Sequence, residues 1–457
     1  MRQLPGKTNF IKFLSSCLLA AVIWIIIPGE TSLKNGLSIF ALIGALWVSQ
    51  AISIVATALL VPLMAVVLGL LSPKDALSSF ANPIIFLFMG GFALAAALAQ
   101  QGLDRILADS AIRISGGKKL NAVLTICGTA AFLSMWISNT ATAAMMLPVA
   151  LGLIRTTADD SNQETNQPVS ARTYAFVLLG LAYSASIGGI ATIIGSPPNA
   201  IAAAETGMTF LEWMSFGLPL TFVLLPVMLS TLYLLLKPDL KGRVDIKQTK
   251  IDWNREKITT LSIFLLTVTL WILSAPLASL LGVKGDMDAM IAIFAILLLV
   301  MSKSVTWGQI ESQGNWGVLL LFGGGITLSE IMKKSQASQF LADSIITMTQ
   351  GIPTIFILLL IIAFVVLLTE LVSNTASAAL LIPIFTVLSP QLELPVQAIA
   401  AIIAISASCA FMLPVATPPN AIVFATGHVT QSTMMRSGAW LNAACILVIF
   451  IFSMTYR

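Results

Sequence analysis

The sequence contains very little charge. Only 10% of its 457 residues are Asp, Glu, Lys or Arg, whereas 57% are hydrophobic. Ordinary soluble proteins carry about 25% charged residues, so this composition excludes a soluble globular domain. The mean hydropathy of +0.95 indicates a polytopic membrane protein.

Residue types that build enzyme and metal sites are also scarce. The one histidine, His428, excludes a multi-histidine site, and the four cysteines lie in apolar segments without metal-ligand spacing. The sequence has no His-Glu-x-x-His motif, no carboxylate cluster and no nucleophile beside a base, which disfavours a membrane-embedded enzyme. A channel is the other competing class. Because the basic residues are scattered among loops, we expect no nucleic-acid partner, and we expect no organic cofactor.

Long apolar runs are abundant. Stretches such as 217–236 and 435–455 reach the roughly 20 residues that a membrane-spanning helix needs. Their continuous apolarity excludes the alternating pattern of a β-barrel, so we predict an all-α polytopic membrane protein. Lys7 and Lys12 precede the first run, which we interpret as an uncleaved first helix and not as a signal peptide.

The chain contains a weak internal repeat. Three pairs of segments match in the same order: 87–112 with 321–346, SNTATAAMMLP at 138–148 with SNTASAALLIP at 373–383, and GSPPNAI at 195–201 with ATPPNAI at 416–422. The offset falls from 235 residues for the second pair to 221 for the third, because the first half carries a polar insert at 156–171. Three matches in one order indicate two repeats.

The apolar runs predict about eleven transmembrane helices. The predicted spans are 11–28, 36–52, 54–73, 82–101, 172–194, 217–236, 257–276, 287–302, 316–332, 395–427 and 435–455, with amphipathic segments at 102–116 and 335–350. Each Ser-Asn-Thr region has polar ends on both sides, which favours a re-entrant hairpin of two half-helices. Two full crossings with the tripeptide in an outer loop are the alternative. With two non-crossing hairpins, the repeats have inverted topology.

The distribution of Lys and Arg predicts the orientation. With a cytoplasmic N-terminus, 18 of the 24 basic residues fall inside, as the positive-inside rule requires, and the C-terminus lies outside. The six basic residues left outside are Lys34, Lys74, Lys284, Lys333, Lys334 and Arg457. Inverted repeats with broken helices are typical of secondary transporters, whose substrate sites lie where the broken elements meet.

The Ser-Asn-Thr tripeptides place polar groups at membrane depth. Irregular backbone survives there only beside protein or a water-filled cavity, so Ser138, Asn139 and Thr140 are predicted to face a site. At a hairpin tip, the free carbonyls of one half-helix suit a hard cation, and the free amides of the next suit an anion. A lone tripeptide of this kind is more often a helix cap, but this one occurs twice in register.

The Pro-Pro-Asn segments add matching parts. Paired prolines remove amide donors and force an unwound turn, which exposes carbonyls near Gly195 and Ala416. Ser196 and Thr417 offer hydroxyls beside the new helix starts. A simple kink is the alternative for either segment alone.

Other polar residues are weaker candidates. Glu370 lies beside the second tripeptide, and a buried carboxylate there is a functional candidate, as is Glu205, although a structural role is equally consistent with the sequence. His428 fits a polar helix end better than a proton relay. The pair Gly90–Gly91 and the run Gly323–Gly325 indicate close helix packing, because no phosphate-loop lysine accompanies them.

The duplicated motifs resemble those of the divalent anion/sodium symporter family, which includes the INDY-type dicarboxylate carriers. The resemblance rests on the paired tripeptides with Pro148 and Pro383 after them, the two Pro-Pro-Asn segments and NPIIFLFMGGF at 82–92. It covers nearly the whole chain. It implies a homodimeric elevator transporter in the cytoplasmic membrane that carries a small dicarboxylate, such as succinate, malate or fumarate, together with sodium. A sodium-independent exchanger and a sulfate or citrate carrier of the same family are the alternatives.

The resemblance also implies ligands. The first sodium site would use Ser134, Ser138, Asn139 and Gly195. The second would use Thr369, Val372, Asn374 and Ala416, where Val372 and Ala416 contribute backbone carbonyls. The substrate carboxylates would be held by Asn139, Thr140, Ser196, Ser373, Asn374, Thr375, Thr417 and Pro418.

The resemblance further implies a scaffold that dimerises and a transport part that contains both hairpins. We assign residues 1–116 and 238–350 to the scaffold, and 117–237 and 351–457 to the transport part. The tip motifs contain no Lys or Arg, although a dianion taken out of water needs compensating charge. This absence favours co-bound cations over exchange.

Overall fold

The computed structural model describes residues 7–159, 170–241, 253–283 and 285–456, and every regular element in these ranges is a helix. The first repeat region contains α1 (Lys7–Ile26), α2 (Thr31–Ser49), α3 (Ile54–Val67), α4 (Pro73–Ser78), α5 (Pro83–Gln100), α6 (Leu103–Ile114), α7 (Lys119–Ser134), α8 (Asn139–Asp159), α9 (Ala171–Gly188), α10 (Pro197–Thr206) and α11 (Phe210–Leu236).

The second half follows with twelve further helices. They are α12 (Arg255–Ile272), α13 (Ser274–Leu281), α14 (Met287–Met301), α15 (Trp307–Gln313), α16 (Trp316–Lys334), α17 (Ala337–Met348), α18 (Thr354–Thr369), α19 (Asn374–Phe385), α20 (Ser389–Leu392), α21 (Val396–Ser408), α22 (Pro418–Phe424) and α23 (Gln431–Ser453). Short 3-10 turns occur at Ser79–Ala81, Ile193–Gly195, Thr386–Leu388 and Met454–Tyr456.

Some sequence predictions fall outside the described residues. These are most of the polar insert, residues 160–169, and the following members of the charge count: Arg2, Arg243, Lys247, Lys250, Lys284 and Arg457.

The described ranges contain fewer membrane-length apolar helices than the eleven spans that the sequence predicts. Within the described ranges seven qualify, and the bent pair α12 and α13 makes an eighth if it counts as one span. The predicted spans at 54–73 and 287–302 are the shorter helices α3 and α14, of 14 and 15 residues. At 1.5 Å per residue these measure about 21 to 23 Å, less than a hydrocarbon core of about 30 Å. One qualifying helix, Asn374–Leu392, belongs to the second Ser-Asn-Thr region, which the hairpin prediction counts as non-crossing.

The predicted span at 257–276 is not straight. It breaks at Leu273, where α12 and α13 meet at 75°. Pro276 explains the break, because its ring clashes with the carbonyl four residues earlier, at Ile272, and α12 ends at that residue.

Proline also sets where the two broken spans resume. Helix α9 ends at Gly188, and α10 begins at Pro197. Helix α21 ends at Ser408, and α22 begins at Pro418. Proline suits the first helical position because the amide it lacks would have no intrahelical partner there. Each broken span therefore contains an unwound stretch of about eight residues between two helices.

The helix contacts form two sets that meet where α16 packs on α10 and α19. In one set α5 contacts α14, α3 contacts α16, and α1 contacts α2. In the other set α7 and α8 pack on α9, α22 packs on α8 and α9, and α10 packs on α19 and α21. Glycines allow close approach in the first set: a Cβ on Gly90 would lie 2.6 Å from Ala292 Cβ, and one on Gly324 would lie 2.5 Å from the Ala58 carbonyl. The predicted packing role of these glycines is confirmed.

Candidate functional site

The first Ser-Asn-Thr tripeptide lies where the turn after α7 ends and α8 begins. Ser134 is fully buried, and its Oγ lies 2.6 Å from Oδ1 of Asn139. The same end of the Asn139 amide faces the carbonyl oxygens of Ala185 at 3.1 Å and Gly195 at 3.3 Å. Four oxygen-bearing groups therefore converge behind this tip.

The Asn139 amide has two usable orientations. With its nitrogen toward the cluster, it donates hydrogen bonds to Ser134, Ala185 and Gly195. With its oxygen toward the cluster, it completes a set of carbonyl and hydroxyl oxygens, which are the ligands that hard cations prefer. The first tip can thus exist as a hydrogen-bonded cluster alone or as an oxygen-lined site around a cation.

Two side chains tie the first unwound stretch to this tip. Thr192 Oγ1 donates to the carbonyl of Met135 and accepts a hydrogen bond from Gly195 N at 3.2 Å. The buried Asn199 donates its Nδ2 to the carbonyls of Gly189 at 2.8 Å and Thr192 at 2.7 Å. Because Asn199 is the asparagine of the first Pro-Pro-Asn segment, that motif holds the unwound backbone in place.

The second tripeptide lies, in the same manner, where the turn after α18 ends and α19 begins. Thr369 Oγ1 lies 2.9 Å from Asn374 Oδ1 and 2.7 Å from the carbonyl of Ala407. Thr369 precedes its asparagine by five residues, as Ser134 does. Here the asparagine presents its oxygen to the hydroxyl, so its NH2 group faces away from Thr369.

The second unwound stretch is held by Asn420 and Glu370. Asn420 donates Nδ2 to the carbonyls of Ala410 at 3.2 Å and Leu413 at 3.0 Å, which repeats the pattern of Asn199. Glu370, only 4% exposed, accepts through Oε1 from Phe411 N at 2.6 Å and Met412 N at 2.9 Å.

Further donors complete the shell around the Glu370 carboxylate. Its Oε2 accepts from Leu413 N at 3.1 Å, and Asn442 donates to Oε1 at 2.7 Å. A buried carboxylate is stable only when such donors replace its lost hydration. In the structure, the Glu370 carboxylate therefore stabilises the backbone of the second unwound stretch.

Both tips and both unwound stretches line one cavity of about 1170 Å³. Asn139 and Asn374 face it from the tips, and Ser196 and Thr417 from the helix starts after the breaks. The Thr417 hydroxyl is buried and has no hydrogen-bond partner among the described residues. A buried hydroxyl without a partner is costly, so it is suited to a polar ligand.

Twelve of the fourteen residues predicted for the site line this cavity. They are Ser138, Asn139, Thr140, Gly195, Ser196, Val372, Ser373, Asn374, Thr375, Ala416, Thr417 and Pro418. The other two, Ser134 and Thr369, are fully buried directly behind the tips, where each contacts its asparagine.

The sequence interpretation gave no role to Asn199 and Asn420. Both occur in register in the quoted Pro-Pro-Asn segments, and this duplication was a signal that could have identified them. The carbonyls of Ala185 and Ala407 were also missed, because a backbone acceptor leaves no mark on residue type.

The weaker candidates lie away from the cavity. Glu205 forms an ion pair with Lys333 and accepts a hydrogen bond from Ser329 at 2.6 Å, which joins α10 to α16. His428 is exposed and stacks on Tyr174 with ring centroids 4.2 Å apart.

Known proteins similar to this chain are membrane transporters. The citrate transporter family (CitMHS) matches residues 45–402 and 287–457. A Haemophilus influenzae protein named as an uncharacterized transporter is 46% identical over 456 residues, covering 98% of this chain and 97% of that protein. The Staphylococcus saprophyticus sodium-dependent dicarboxylate transporter SdcS is 33% identical over 440 residues, covering 91% of this chain and 84% of that protein.

A solved structure shares the fold. The YdaH transporter of Alcanivorax borkumensis superposes with a TM-score of 0.59 at 16% identity, covering 99% of this chain and 98% of that one. The helical fold and these matches define a polytopic membrane transporter. The chain belongs to the citrate transporter family, and the resemblance to the divalent anion/sodium symporters is confirmed.

Proposed function

We propose that the chain is a secondary active transporter that moves a small dicarboxylate, of the succinate, malate or fumarate class, together with sodium across the cytoplasmic membrane. The cavity in which both tips and both breaks meet carries this proposal. Its walls offer amide and hydroxyl donors to carboxylates, and no acidic side chain in the described part of the chain lines it. The similarity to relatives named as sodium-dependent dicarboxylate transporters supports this choice of substrate and ion.

The charge of the substrate favours coupling to cations. A dianion in this cavity meets no Lys or Arg at either tip, yet each tip has an oxygen cluster behind its asparagine. Sodium in those clusters would supply the missing positive charge. Asn139 and Asn374 would then each place an amide oxygen on a cation and an NH2 group toward a carboxylate.

Each proposed sodium site is built around one tip, and the proposed carboxylate ligands come from both tips and both breaks. The first sodium ion is assigned to Ser134, Ser138, Asn139 and Gly195. The second is assigned to Thr369, Val372, Asn374 and Ala416. The carboxylates are assigned to Asn139, Thr140, Ser196, Ser373, Asn374, Thr375, Thr417 and Pro418.

The proposed transport cycle is an elevator movement in a homodimer. The mutual packing of α8, α9, α22, and of α10, α19, α21, supports a transport part formed by residues 117–237 and 351–457. The pairing of α5 with α14 and of α3 with α16 supports a scaffold formed by 1–116 and 238–350.

Contacts between helix ends agree with the proposed inverted orientation. Gln101 donates to the carbonyl of Ser304 at 3.0 Å, and both lie on the predicted cytoplasmic side. Phe210 N donates to Asp288 at 2.7 Å, and both lie on the predicted outer side. Single cysteines in place of Lys118, before the first hairpin, and Lys334, before the second, should therefore react with impermeant reagents from opposite faces, and labelling from one face would overturn the inversion.

The decisive experiment is uptake by proteoliposomes. Radiolabelled succinate should accumulate when an inward sodium gradient is imposed and should not require dicarboxylate inside the vesicle. Uptake that needs internal dicarboxylate and ignores sodium would identify the sodium-independent exchanger instead. Because the family is described as citrate transporters, citrate and sulfate should be tested as competitors.

The voltage response tests the number of coupled ions. If more than two sodium ions accompany a dianion, each net charge gains about 2.3 kcal/mol per 100 mV of membrane potential. Uptake should then rise when the vesicle interior is made negative. Indifference to voltage would point to exchange or to two-sodium electroneutral transport.

A further inference from the structure

Among the described residues that line the cavity containing both tips, Lys12 in α1 carries a charge. All other described residues that line it are uncharged. The Lys12 side chain is exposed, and its Nζ donates to the carbonyl of Ser49 at 3.2 Å. Ser49 is the last residue of α2, whose terminal carbonyls carry partial negative charge and favour a cation. This hydrogen bond places the ammonium group on the cavity wall.

The neighbours of Lys12 on that wall are polar. Gln50 adjoins Ser49. Gln313, the last residue of α15, and Asn315, which precedes α16, also line the cavity. All of these residues lie toward the predicted cytoplasmic ends of their helices. Amides donate hydrogen bonds without adding net charge, so among the described residues that line this part of the cavity Lys12 is the one with a formal charge.

We infer that Lys12 attracts the dianionic substrate at the mouth of the cavity on the predicted cytoplasmic side, where the substrate passes between the tips and the cytoplasm. The inference rests on the proposed function and adds to it a positioning residue that neither tip motif contains. A charge on the wall of a cleft with low-dielectric surroundings raises the local concentration of the opposite ion. The ammonium group has three donors and uses one on Ser49, which leaves two for a carboxylate.

The size of the effect follows from Coulomb attraction. A dianion about 10 Å from one positive charge in a water-like medium gains a factor of roughly 3 to 5 in affinity. The gain shrinks as salt shortens the screening length, which is about 10 Å at 0.1 M ionic strength. A lysine is a compact point charge on a flexible stem, so it can guide the substrate without fixing its orientation.

The experiment compares four variants of the full-length protein. Lys12→Gln removes the charge, Lys12→Glu reverses it and Lys12→Arg keeps it. Lys303→Gln is the matched control, because Lys303 is exposed and lies on the predicted cytoplasmic side but does not line the cavity. Succinate binding is measured by calorimetry on purified protein at a fixed sodium concentration. The measurement is made first at low ionic strength and then with about 0.5 M choline chloride. This is about five times the ionic strength at which the screening length is 10 Å.

The expected result is a charge-dependent and salt-dependent change. Lys12→Gln should weaken succinate binding about 3- to 5-fold at low ionic strength, and Lys12→Glu by about the square of that factor, roughly 10- to 25-fold. Lys12→Arg and Lys303→Gln should match the unmodified protein, and high salt should remove the differences. In vesicles, Lys12→Gln should raise KM for succinate on the cytoplasmic face and leave KM on the outer face unchanged.

Other outcomes would overturn the inference. Equal affinity for Lys12→Gln and Lys303→Gln would show that the charge at residue 12 has no role. A loss shared by Lys12→Arg, or one that persists at high salt, would assign the effect to packing and not to charge. Failure of the unmodified protein to bind or carry succinate, citrate or sulfate is a separate result, because it would overturn the proposed function itself.

Discussion

The two tips are built on the same plan but are stabilised differently. Ser134 and Thr369 each contact the asparagine five residues later, and Asn199 and Asn420 each donate to two carbonyls of the unwound stretch before them. In the first unwound stretch, the amide nitrogens of Ile190 and Ala191 donate to the carbonyls of Ile187 and Gly188, each at 3.1 Å. Helical hydrogen bonding therefore continues for a short distance past the end of α9.

The second stretch cannot satisfy its amides in that way. Its three consecutive amides, from Phe411 to Leu413, turn to the carboxylate of Glu370. The position equivalent to Glu370 in the first tip is Met135, which offers no such acceptor. The same geometry is thus kept by the backbone itself in the first stretch and by one buried charge in the second, so the second stretch depends on a single side chain.

Glu370→Gln tests this dependence and should have the largest effect. A glutamine keeps one acceptor oxygen but turns an NH2 group toward a backbone amide, which leaves buried donors unpaired. We expect a loss of about 3 kcal/mol in the free energy of unfolding, read as a lower thermal midpoint in detergent. The matched change Met135→Leu should cost less than about 1.5 kcal/mol. Similar losses for both variants would contradict the proposed difference between the stretches.

Replacement of the tip asparagines tests the shared plan. Asn139→Ala and Asn374→Ala should each weaken sodium and succinate binding together, by about one to two decades, because each removes a charge-assisted hydrogen bond of roughly 1.5 to 3 kcal/mol and ligand coupling is reciprocal. Both affinities can be measured by calorimetry on the purified variants.

The aspartate variants at the same positions separate the two roles. Asn139→Asp and Asn374→Asp keep an oxygen for the cation but set a negative charge against the dicarboxylate, so sodium binding should survive better than succinate binding. If the alanine variants transport succinate with unchanged sodium dependence, the two asparagines are helix caps and the ligand site lies elsewhere.

The asparagines of the Pro-Pro-Asn segments should differ from each other. Asn199 makes hydrogen bonds of 2.7 and 2.8 Å, whereas those of Asn420 measure 3.0 and 3.2 Å in a stretch that Glu370 also holds. We expect Asn199→Ala to cost about 2 kcal/mol of stability and Asn420→Ala about 1 kcal/mol. Thermal unfolding of the two variants in parallel would show whether the order is reversed.

The smallest expected effect concerns a tyrosine hydroxyl that donates a hydrogen bond from the first repeat to the second. Tyr183 donates its hydroxyl to the carbonyl of Phe411 at 2.6 Å, and Trp213 donates to the equivalent carbonyl of Ile190 at 2.9 Å. Tyr183→Phe should remove about 1 kcal/mol, one buried hydrogen bond, while its ring packing stays. Trp213→Phe should cost more, because it also leaves a cavity. Equal midpoints for Tyr183→Phe and the unmodified protein would show that water replaces the lost donor.

Local sequence patterns predicted the tips and breaks well. A polar tripeptide inside an apolar run and a Pro-Pro pair inside a span each conflict with a continuous helix, so both were visible without the fold. The contact between Tyr183 and Phe411 was not visible, because it joins residues 228 positions apart.

Other features depended on context beyond the local pattern. The role of Glu370 could not be predicted from the sequence, because a glutamate beside a tip can either bind a ligand or accept hydrogen bonds from the backbone. The span at 54–73 was predicted too long, because apolar residues continue past Val67, where α3 ends, whereas the span at 287–302 matches α14 to within one residue. Pro276 marked the bend in the span at 257–276, but it was included in a straight helix.

The glycines of the first break, Gly189 and Gly195, limit which substitutions the first tip can accept. A Cβ on Gly189 would lie 2.3 Å from Asn139 Oδ1, and one on Gly195 would lie 2.5 Å from the Gly189 carbonyl. The equivalent residues of the second break are Ala410 and Ala416, which already carry that methyl group. Laboratory evolution for a different ligand should therefore accumulate its substitutions around the second tip, while the first stays invariant at both glycines.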